Sequence, residues 1–259
     1  MQNAALRAAR IDASYVARDV LPDELATTVA ELRTRNCAGN VTIPHKQAMA
    51  ALCDRLTDAA SGAGAVNTFW IEDGALVGDN TDIAGFDAAA RALVDVTDPA
   101  RATPLHVTLI GAGGAAAAVA IGTRSWPSAQ LTVWTRRADA AGAFTRRFAH
   151  ARAAATLPDA VRDADLVVNA TPVGLHDDAL PLPVDALAAK AAVLDLVYRP
   201  GETAFVRAAR ARGLRASDGM AMLVEQGAAA FARWFGIEPD RSVMWEAVGR
   251  GAPERGRAG

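Results

Sequence analysis

Cysteine is scarce in this chain, and its scarcity excludes two kinds of protein. The 259 residues include only Cys37 and Cys53, which are too few for a disulfide framework, so we expect two buried, inert thiols in a reducing cytoplasm. Two thiols cannot form a zinc site by themselves, and the four histidines show no metal-ligand spacing. The sequence therefore predicts no metal.

Net charge and long apolar segments are also lacking. The formal charge is −2 and 51% of the residues are hydrophobic, as in a globular protein rather than a disordered or nucleic-acid-coating one. Residues 1–10 lack the apolar core of a secretory signal. The uncharged run 102–123 contains Pro104 and several glycines, which favours strand, turn and helix over a membrane span. We expect neither a nucleic-acid nor a membrane partner.

A glycine-rich segment follows the apolar run 105–110 and opens an alanine-rich stretch. Gly111 allows a tight turn, Gly113 lets backbone N–H groups approach phosphates, and Ala116 lets helix and strand pack closely. The helix N-terminus adds a partial positive charge. We expect a dinucleotide site here rather than a βα turn without a ligand. Its turn consists of Gly111, Ala112, Gly113, Gly114 and Ala115.

Apolar periodicity divides the chain into two parts. In the second part, apolar runs at 105–110, 130–135, 166–170 and 192–197 are predicted strands, and helical segments separate the first three, which predicts a parallel sheet. In the first part we predict helices at 3–11, 22–35, 45–60 and 81–94, strands at 13–20 and 39–43, and a hairpin at 65–78 turning at Asp73 and Gly74. Helices at 220–235 and 241–248 follow.

The predicted fold class is α/β with two domains. Residues 1–84 form the predicted first domain. Residues 85–219 form the second domain, and residues 98–101 are a predicted linker ahead of its first strand. Residues 249–259, rich in glycine and arginine, are an expected disordered tail.

Three polar clusters precede the glycine turn, each at the end of a short apolar strand. They read Asn-Val-Thr-Ile-Pro-His-Lys at 40–46, Ala-Val-Asn-Thr at 65–68 and Gly-Asp-Asn-Thr-Asp at 78–82. Asparagine amides both donate and accept, which suits a polyhydroxylated ligand. Alternatively, Thr81 or Asp82 caps the following helix and Asn67 stabilises a turn. Three clusters and a dinucleotide turn in one chain favour a binding site.

These motifs resemble those of the shikimate dehydrogenase family, in the family's order. Segment 40–46 is similar to its Asn-Val-Thr-x-Pro-x-Lys signature, segments 64–68 and 80–82 to its next two motifs, and 111–116 to its glycine loop. Three later segments, 169–174, 195–203 and 219–226, resemble its Asn-Ala-Thr-Pro, Asp-x-x-Tyr-x-Pro-x-x-Thr and Gly-x-x-Met-Leu-x-x-Gln motifs. The resemblance covers nearly the whole chain.

The resemblance implies an N-terminal α/β substrate domain, on which the helices within 220–248 pack back, and a Rossmann-like NADP-binding domain. It further implies an oxidoreductase that interconverts 3-dehydroshikimate and shikimate in the chorismate pathway. Lys46 and Asp82 would be catalytic, with Lys46 supplying a proton to the developing alkoxide. The substrate would be held by Asn40, Thr42, Asn67, Thr81, Tyr198 and Gln226. Beyond the glycine turn, the cofactor would contact Asn169, Thr171, Val197, Gly219 and Met222.

The end of the second nucleotide-domain strand favours NADP over NAD. Thr135, Arg136 and Arg137 stand where NAD sites usually carry an acidic residue, and two arginines suit a 2′-phosphate. NADP-preferring family members carry Asn-Arg-Thr-x-x-Arg here, whereas this chain has Thr135, Arg137 and Ala140 at the first, third and last positions of that pattern. The alternative is two solvated surface arginines.

The resemblance starts at the family's first helix, where Met1 stands. Family members begin with a strand and a Ser-x-Ser-Pro segment whose serines bind the substrate carboxylate. The intact later motifs favour an incomplete N-terminus over a genuinely short protein with altered substrate binding. Without that strand, we expect unpaired backbone groups at the sheet of the substrate domain.

Two alternatives to a shikimate dehydrogenase stay open. A quinate or aminoshikimate-type dehydrogenase of the same family is one alternative to a shikimate dehydrogenase. A non-catalytic protein that binds cofactor or shikimate is another, because the Ser-x-Ser segment is absent. A cytoplasmic monomer or homodimer is expected.

Overall fold

The computed structural model describes residues 1–98 and 103–249. Over these residues the chain forms two compact units, Met1–Gly85 with the segment that starts at Val224, and Phe86–Leu223. The sequence placed the boundaries at 84 and 219 instead. Most of the predicted linker, 99–101, and of the predicted tail, 250–259, lies outside the described residues. No described helix is long and apolar enough to cross a bilayer.

The N-terminal elements alternate short helices with short strands. They are α1 (Gln2–Ala8), α2 (Leu25–Thr34), β1 (Gly39–Asn40), α3 (Lys46–Leu52), β2 (Arg55–Leu56), α4 (Asp58–Ala63), β3 (Thr68–Glu72), β4 (Ala75–Asp79) and α5 (Asp82–Arg91).

The strands of the first unit form one four-stranded sheet in the order β1-β3-β4-β2. The β3–β4 hairpin confirms the sequence prediction, since Asp73 and Gly74 both adopt the positive φ that a tight two-residue turn requires. Met49, Phe69 and Leu76 are buried in the core beneath it. Strand β1 lies at one edge of the sheet, because among the described strands it pairs only with β3.

Two predictions in this region are wrong. Residues 13–20 form no strand, because no neighbouring strand offers them a backbone ladder, and the Tyr15 backbone pairs instead with the side chain of Asn3. The helix predicted at 45–60 is two helices, α3 and α4, with β2 between them. Pairing of β2 with β4 overrides the helical periodicity, and Thr57 caps α4 by accepting a hydrogen bond from the Ala60 N–H.

The remaining elements follow after residue 103. They are β5 (Leu105–Ile110), α6 (Gly114–Arg124), β6 (Ala129–Trp134), α7 (Ala138–Arg147), β7 (Ala151–Ala153), α8 (Leu157–Val161), β8 (Leu166–Asn169), a 3-10 helix (Val184–Ala186), β9 (Ala192–Asp195), α9 (Ala204–Ala211), β10 (Ala216–Ser217), α10 (Gly219–Phe235) and α11 (Arg241–Ala247).

The second unit contains a six-stranded sheet in the order β10-β9-β8-β5-β6-β7, with every pair parallel. The four predicted strands are confirmed, whereas β7 and β10 were too short for their periodicity to be detected. The strand order reverses at β5, between β6 and β8. In open parallel sheets, such a switch point is where ligands bind.

The last two helices belong to the first unit from Val224 onward. There α11 packs against α1, and the Gln2 side chain donates a hydrogen bond to the Gly227 carbonyl over 2.9 Å. These contacts connect the two ends of the described chain.

Both cysteines are free thiols, but the prediction that they are buried is wrong, since each is only partly buried. Cys53 ends α3, and burial raises the pKa of its thiol to about 11. A thiol with so high a pKa is a poor nucleophile.

Candidate active site and dinucleotide site

Lys46 and Asp82 form an ion pair in the first unit, although 36 residues separate them. Each is the first residue of a helix, α3 and α5 respectively. The Lys46 Nζ donates to Asp82 Oδ2 over 2.6 Å, and the two side chains are 28% and 17% exposed. The pair is thus shielded but still reachable by a small molecule.

Asn67 connects this pair to its neighbours through both ends of its amide. Its Nδ2 donates to Asp82 Oδ1 over 2.8 Å and to Gln226 Oε1 over 3.3 Å. Its Oδ1 accepts from the backbone N–H and the hydroxyl of Thr81, over 2.7 Å and 3.1 Å. Five predicted site residues therefore meet in one polar cluster, and they come from α3, α5, α10 and the residues just before β3 and α5.

The turn that carries Thr81 and Asp82 is held by a carboxylate that the sequence reasoning missed. Asp79 is buried and accepts from the Thr57 hydroxyl, from the Asn80 N–H over 2.7 Å and from Arg233 Nε over 2.8 Å. Its place within the Gly-Asp-Asn-Thr-Asp motif was the available signal. Nothing in the sequence marked Arg233, which lies on α10.

Both ends of the Asn40 side-chain amide form hydrogen bonds within the protein. Its Oδ1 accepts from the Tyr15 hydroxyl over 3.1 Å, and its Nδ2 donates to the Asn67 carbonyl over 3.2 Å. Tyr15 stacks on Trp234, and burial raises the pKa of its phenol. Thr42, which is exposed, follows on the same loop.

In the second unit, the glycine turn lies between β5 and α6. Gly111 has φ +106°, and a Cβ there would lie 2.9 Å from the Thr171 methyl group and 3.0 Å from the Ala170 carbonyl, so only glycine fits. Cβ atoms at Gly113 and Gly114 would meet nothing within 4 Å. Ala116, by contrast, is fully buried against the sheet. The start of α6 therefore has room for an anion, without a side-chain cap at Gly113.

A buried carboxylate organises the carboxyl ends of β8 and β9. Asp195 accepts from Asn169 Nδ2 over 2.8 Å, from the Thr203 hydroxyl over 2.7 Å and from the Val197 N–H over 3.1 Å. Asn169 Oδ1 in turn accepts from the backbone and hydroxyl of Thr171. These contacts fix the loops that carry the predicted cofactor residues of this edge.

Gly219 begins α10 against the loop that follows β9. A Cβ at this position would clash with the Leu196 carbonyl, and the Gly219 N–H donates to the Val197 carbonyl over 2.9 Å. Met222 is buried on the same helix, whereas Tyr198 is 48% exposed. The backbone at the start of α10 thus lies close to the loop that follows β9, where the cofactor is predicted to bind.

A cavity of about 360 Å³ opens beside the glycine turn. Arg137 lines it, while Arg136 is exposed and is not one of its lining residues. The Thr135 hydroxyl donates to the Arg137 carbonyl and so fixes the turn into α7. Among the described residues, no group of three or more His, Cys, Asp or Glu side chains is placed to hold a metal.

A parallel sheet with a glycine turn in one unit and a lysine–carboxylate–amide cluster in the other define a dinucleotide-binding α/β protein with a polar small-molecule site. The family model of the shikimate dehydrogenase substrate binding domain matches residues 1–69, and that of the shikimate 5′-dehydrogenase C-terminal domain matches residues 219–248. The chain belongs to the shikimate dehydrogenase family.

Individual relatives agree with this membership. A "Shikimate dehydrogenase (NADP(+))" of Rubrobacter xylanophilus is 41% identical over 96% of this chain and 89% of its own length. The structure of shikimate 5-dehydrogenase from Thermus thermophilus, in complex with NADP(H) and shikimate, is 38% identical with a TM-score of 0.84, covering 95% and 91%. Quinate dehydrogenase from Corynebacterium glutamicum, in complex with NAD, is 32% identical with a TM-score of 0.76, covering 86% and 82%.

Proposed function

We propose that the chain catalyses the reversible, NADP-dependent reduction of 3-dehydroshikimate to shikimate. The observation that carries this proposal is the Lys46–Asp82 pair, joined by Asn67 into one partly exposed polar cluster. Relatives named as NADP-dependent shikimate dehydrogenases cover most of the chain at 35–42% identity and support the same assignment.

A ketone reduction requires a hydride and a proton, and the groups that supply them belong to different parts of the site. NADPH, when bound, supplies the hydride. Lys46 holds a proton on Nζ and gives it to the ketone oxygen as negative charge develops there, and it takes the proton back in the oxidation direction. Asp82 orients the ammonium group through the 2.6 Å contact. No step requires a metal ligand.

The substrate hydroxyls and carboxylate are assigned to the side chains around this pair. We place Thr81, Asn67 and Gln226 on the ring hydroxyls, since Thr81 and Gln226 both contact the Asn67 amide and each of the three can donate or accept. Asn40 and Thr42 lie a few residues before Lys46 in the sequence and are also assigned to the substrate. Tyr198 is assigned to the substrate ring. In this assignment, residues 1–84 and 220–248 are the substrate domain.

The cofactor is assigned to the proposed second domain, residues 85–219. Gly111, Ala112, Gly113, Gly114 and Ala115 present backbone N–H groups and open space to the pyrophosphate. The nicotinamide end is assigned to Asn169, Thr171, Val197, Gly219 and Met222. Thr135, Arg136 and Arg137 are assigned to the adenosine 2′-phosphate, for which a guanidinium is a well-matched partner.

The chain offers a matched pair of lysines for the test. Lys46 and Lys190 are its only two, and Lys190 pairs with Asp165 in the second unit. NADPH absorbance is followed with 3-dehydroshikimate as substrate. We expect Lys46→Ala to lower kcat by a factor of about 10²–10⁴, the usual contribution of a positioned acid–base group. Lys190→Ala keeps the activity of the unmodified chain.

Other results would contradict the proposal in distinct ways. A higher kcat/KM for quinate than for shikimate in the oxidation direction would favour the quinate-type alternative. Ligand binding without NADPH consumption would favour a binding protein. Chromatography with light scattering decides between the proposed monomer and homodimer.

A further inference from the structure

Tyr15 lies outside every motif of the sequence, yet its hydroxyl contacts a residue that is assigned to the substrate. The Tyr15 Oη donates to Asn40 Oδ1 over 3.1 Å. Within residues 13–19, Tyr15 is the one residue that is not exposed. A single side chain turned inward from an exposed segment indicates a specific contact rather than general core packing.

Both the backbone and the ring of Tyr15 are held in place. The Asn3 side chain accepts from the Tyr15 N–H over 2.7 Å and donates to the Tyr15 carbonyl over 2.8 Å. The Tyr15 ring stacks on Trp234, with ring centroids 6.0 Å apart and planes inclined by 23°. Trp234 in turn donates from Nε1 to the Thr68 hydroxyl over 3.0 Å. The Tyr15 hydroxyl therefore reaches Asn40 from a defined position.

The direction of each hydrogen bond around Asn40 follows from what its partners can donate or accept. The Asn67 carbonyl only accepts, so the Asn40 Nδ2 must face it, as observed at 3.2 Å. This orientation turns Asn40 Oδ1 towards Tyr15, whose hydroxyl must then donate. Burial raises the pKa of the Tyr15 phenol, so the hydroxyl keeps its proton at neutral pH. The Asn40 amide is thus oriented from both ends.

The oriented amide lies beside the residue at the centre of the polar cluster. The Asn67 carbonyl that accepts from Asn40 also accepts from the Val41 N–H over 2.8 Å, and the Asn67 side chain donates to Asp82 over 2.8 Å. Among the described residues, the Asn40 amide bonds to Tyr15 and Asn67, which leaves its second N–H for a ligand. A polar group that is already oriented costs less to order when a ligand binds.

We propose that Tyr15 is a positioning residue for substrate binding, which acts by orienting the side-chain amide of Asn40. The inference rests on the proposed function, in which Asn40 binds the substrate. Among the described residues, the hydrogen bonds of Tyr15 go to Asn3 and Asn40 and not to the Lys46–Asp82 pair. Tyr15 therefore contributes equally to the binding of substrate and of transition state, which affects KM and not kcat.

Removal of the hydroxyl alone tests the proposal. Tyr15→Phe keeps the ring that stacks on Trp234, and steady-state kinetics of the full chain are measured with varied shikimate at saturating NADP. We expect KM for shikimate to rise about three- to tenfold, as for loss of one hydrogen bond, with kcat unchanged. Thr34→Val is the matched control, because it removes an exposed hydroxyl that donates to the Ala30 carbonyl within α2. We expect it to change neither constant.

A double-mutant cycle shows whether Tyr15 acts through Asn40. Asn40→Ala alone is expected to raise KM for shikimate. Adding Tyr15→Phe to that variant is expected to raise KM no further, because no amide is left to orient. Factors that multiply in the double variant would give Tyr15 a role independent of Asn40 and overturn the inference.

Two results with the single variant would also overturn it. In one, Tyr15→Phe has the KM of the unmodified chain. In the other, kcat falls by as large a factor as KM rises, which would make Tyr15 a support of the whole site rather than of substrate binding. A retained kcat shows that the variant is folded.

Calorimetry with shikimate separates this inference from the proposed function. If the unmodified chain oxidises shikimate and Tyr15→Phe keeps its KM, only this inference fails. If shikimate binds without turnover and Tyr15→Phe weakens that binding by about three- to tenfold, the inference stands and the proposed reaction fails.

Discussion

Asn67 shows how closely a ligand-facing role and a structural role can coincide in one side chain. Its amide oxygen accepts from Thr81 and its amide nitrogen donates to Asp82. An aspartate here could not donate to Asp82, and a leucine would remove the acceptor of a buried Thr81 N–H. The amide therefore holds the site together before any substrate contact is considered.

Asp195 is a second residue whose environment sets its chemistry. Burial raises the pKa of its carboxyl and Asp218 adds to the rise, while hydrogen bonds from Thr203, Val197 and Asn169 oppose it. A folded-state pKa above the unfolded value of about 3.9 means that the folded chain binds this proton more tightly. The resulting stabilisation is present below the unfolded pKa and is lost as pH rises through the folded pKa.

This gives a pH prediction for Asp195→Asn. The free energy of unfolding, measured by denaturant titration from mildly acidic to neutral pH, is expected to fall with pH for the unmodified chain relative to the variant, which cannot ionise there. Thr203 can turn its hydroxyl to fit the new amide. Parallel profiles for the two chains would rule out this role for Asp195.

Asp240 provides the control of opposite sign. Hydrogen bonds from Ser242 lower the pKa of this exposed carboxyl, which caps α11. Its stabilisation is present above the unfolded pKa and lost as pH falls through the folded pKa. Asp240→Asn is therefore expected to change the pH profile in the opposite direction.

At the scale of elements, α10 carries residues of both predicted sites. Gly219 and Met222 lie in its first turns, and Gln226 and Arg233 lie further along. Arg233 binds Asp79 at the end of β4, beside the turn that presents Asp82. The helix and the turn are thus joined by an ion pair whose carboxylate is 3% exposed and whose arginine is 56% exposed.

We expect Arg233→Ala to act on substrate binding more than on chemistry. Loss of one donor to a buried carboxylate costs about 1–3 kcal/mol, and the turn and Gln226 lose a shared anchor. The expected result is a several-fold higher KM for shikimate with a smaller change in kcat, and Arg233→Lys restores part of the loss. Steady-state kinetics with varied shikimate measure both.

A neutral variant sets the baseline for this experiment. Arg35 pairs with Glu31 on the surface of the same unit and is 66% exposed, a pair of the kind that contributes little. Arg35→Ala should leave KM and kcat unchanged. A KM shift as large in Arg35→Ala as in Arg233→Ala would contradict a specific role for the Asp79 contact.

At the scale of the whole molecule, each unit has a hydrophobic core of its own. A ligand that binds only the folded chain stabilises it by mass action, by about 2.7 kcal/mol at one hundred times its Kd. For a chain of this size that corresponds to a rise in Tm of about 5–10 °C.

Thermal unfolding therefore offers a test of cofactor preference that needs no substrate. NADPH is expected to raise Tm by this amount at a concentration where NADH raises it much less, because only NADPH carries the 2′-phosphate. Equal shifts with the two nucleotides would contradict the assignment of the arginines at the end of β6.

Local signals in the chain predicted much of this molecule. The β3–β4 turn follows from Asp73 and Gly74, the glycine turn from Gly111, and the parallel sheet from four apolar runs, because each depends on residues adjacent in sequence. The same reasoning failed at 13–20 and at β2. Whether a short apolar stretch becomes a strand depends on a partner elsewhere in the chain.

Sequence alone determined which residues are the candidates for chemistry, since the ordered motifs name Lys46, Asp82, Asn67 and Gln226 without coordinates. The tertiary structure decided how they are held. Asp79 meets Arg233 across 154 positions, and the Tyr15 ring stacks on Trp234. Such pairings arise when distant elements pack, and their energies come from burial and geometry that no local pattern of residues encodes.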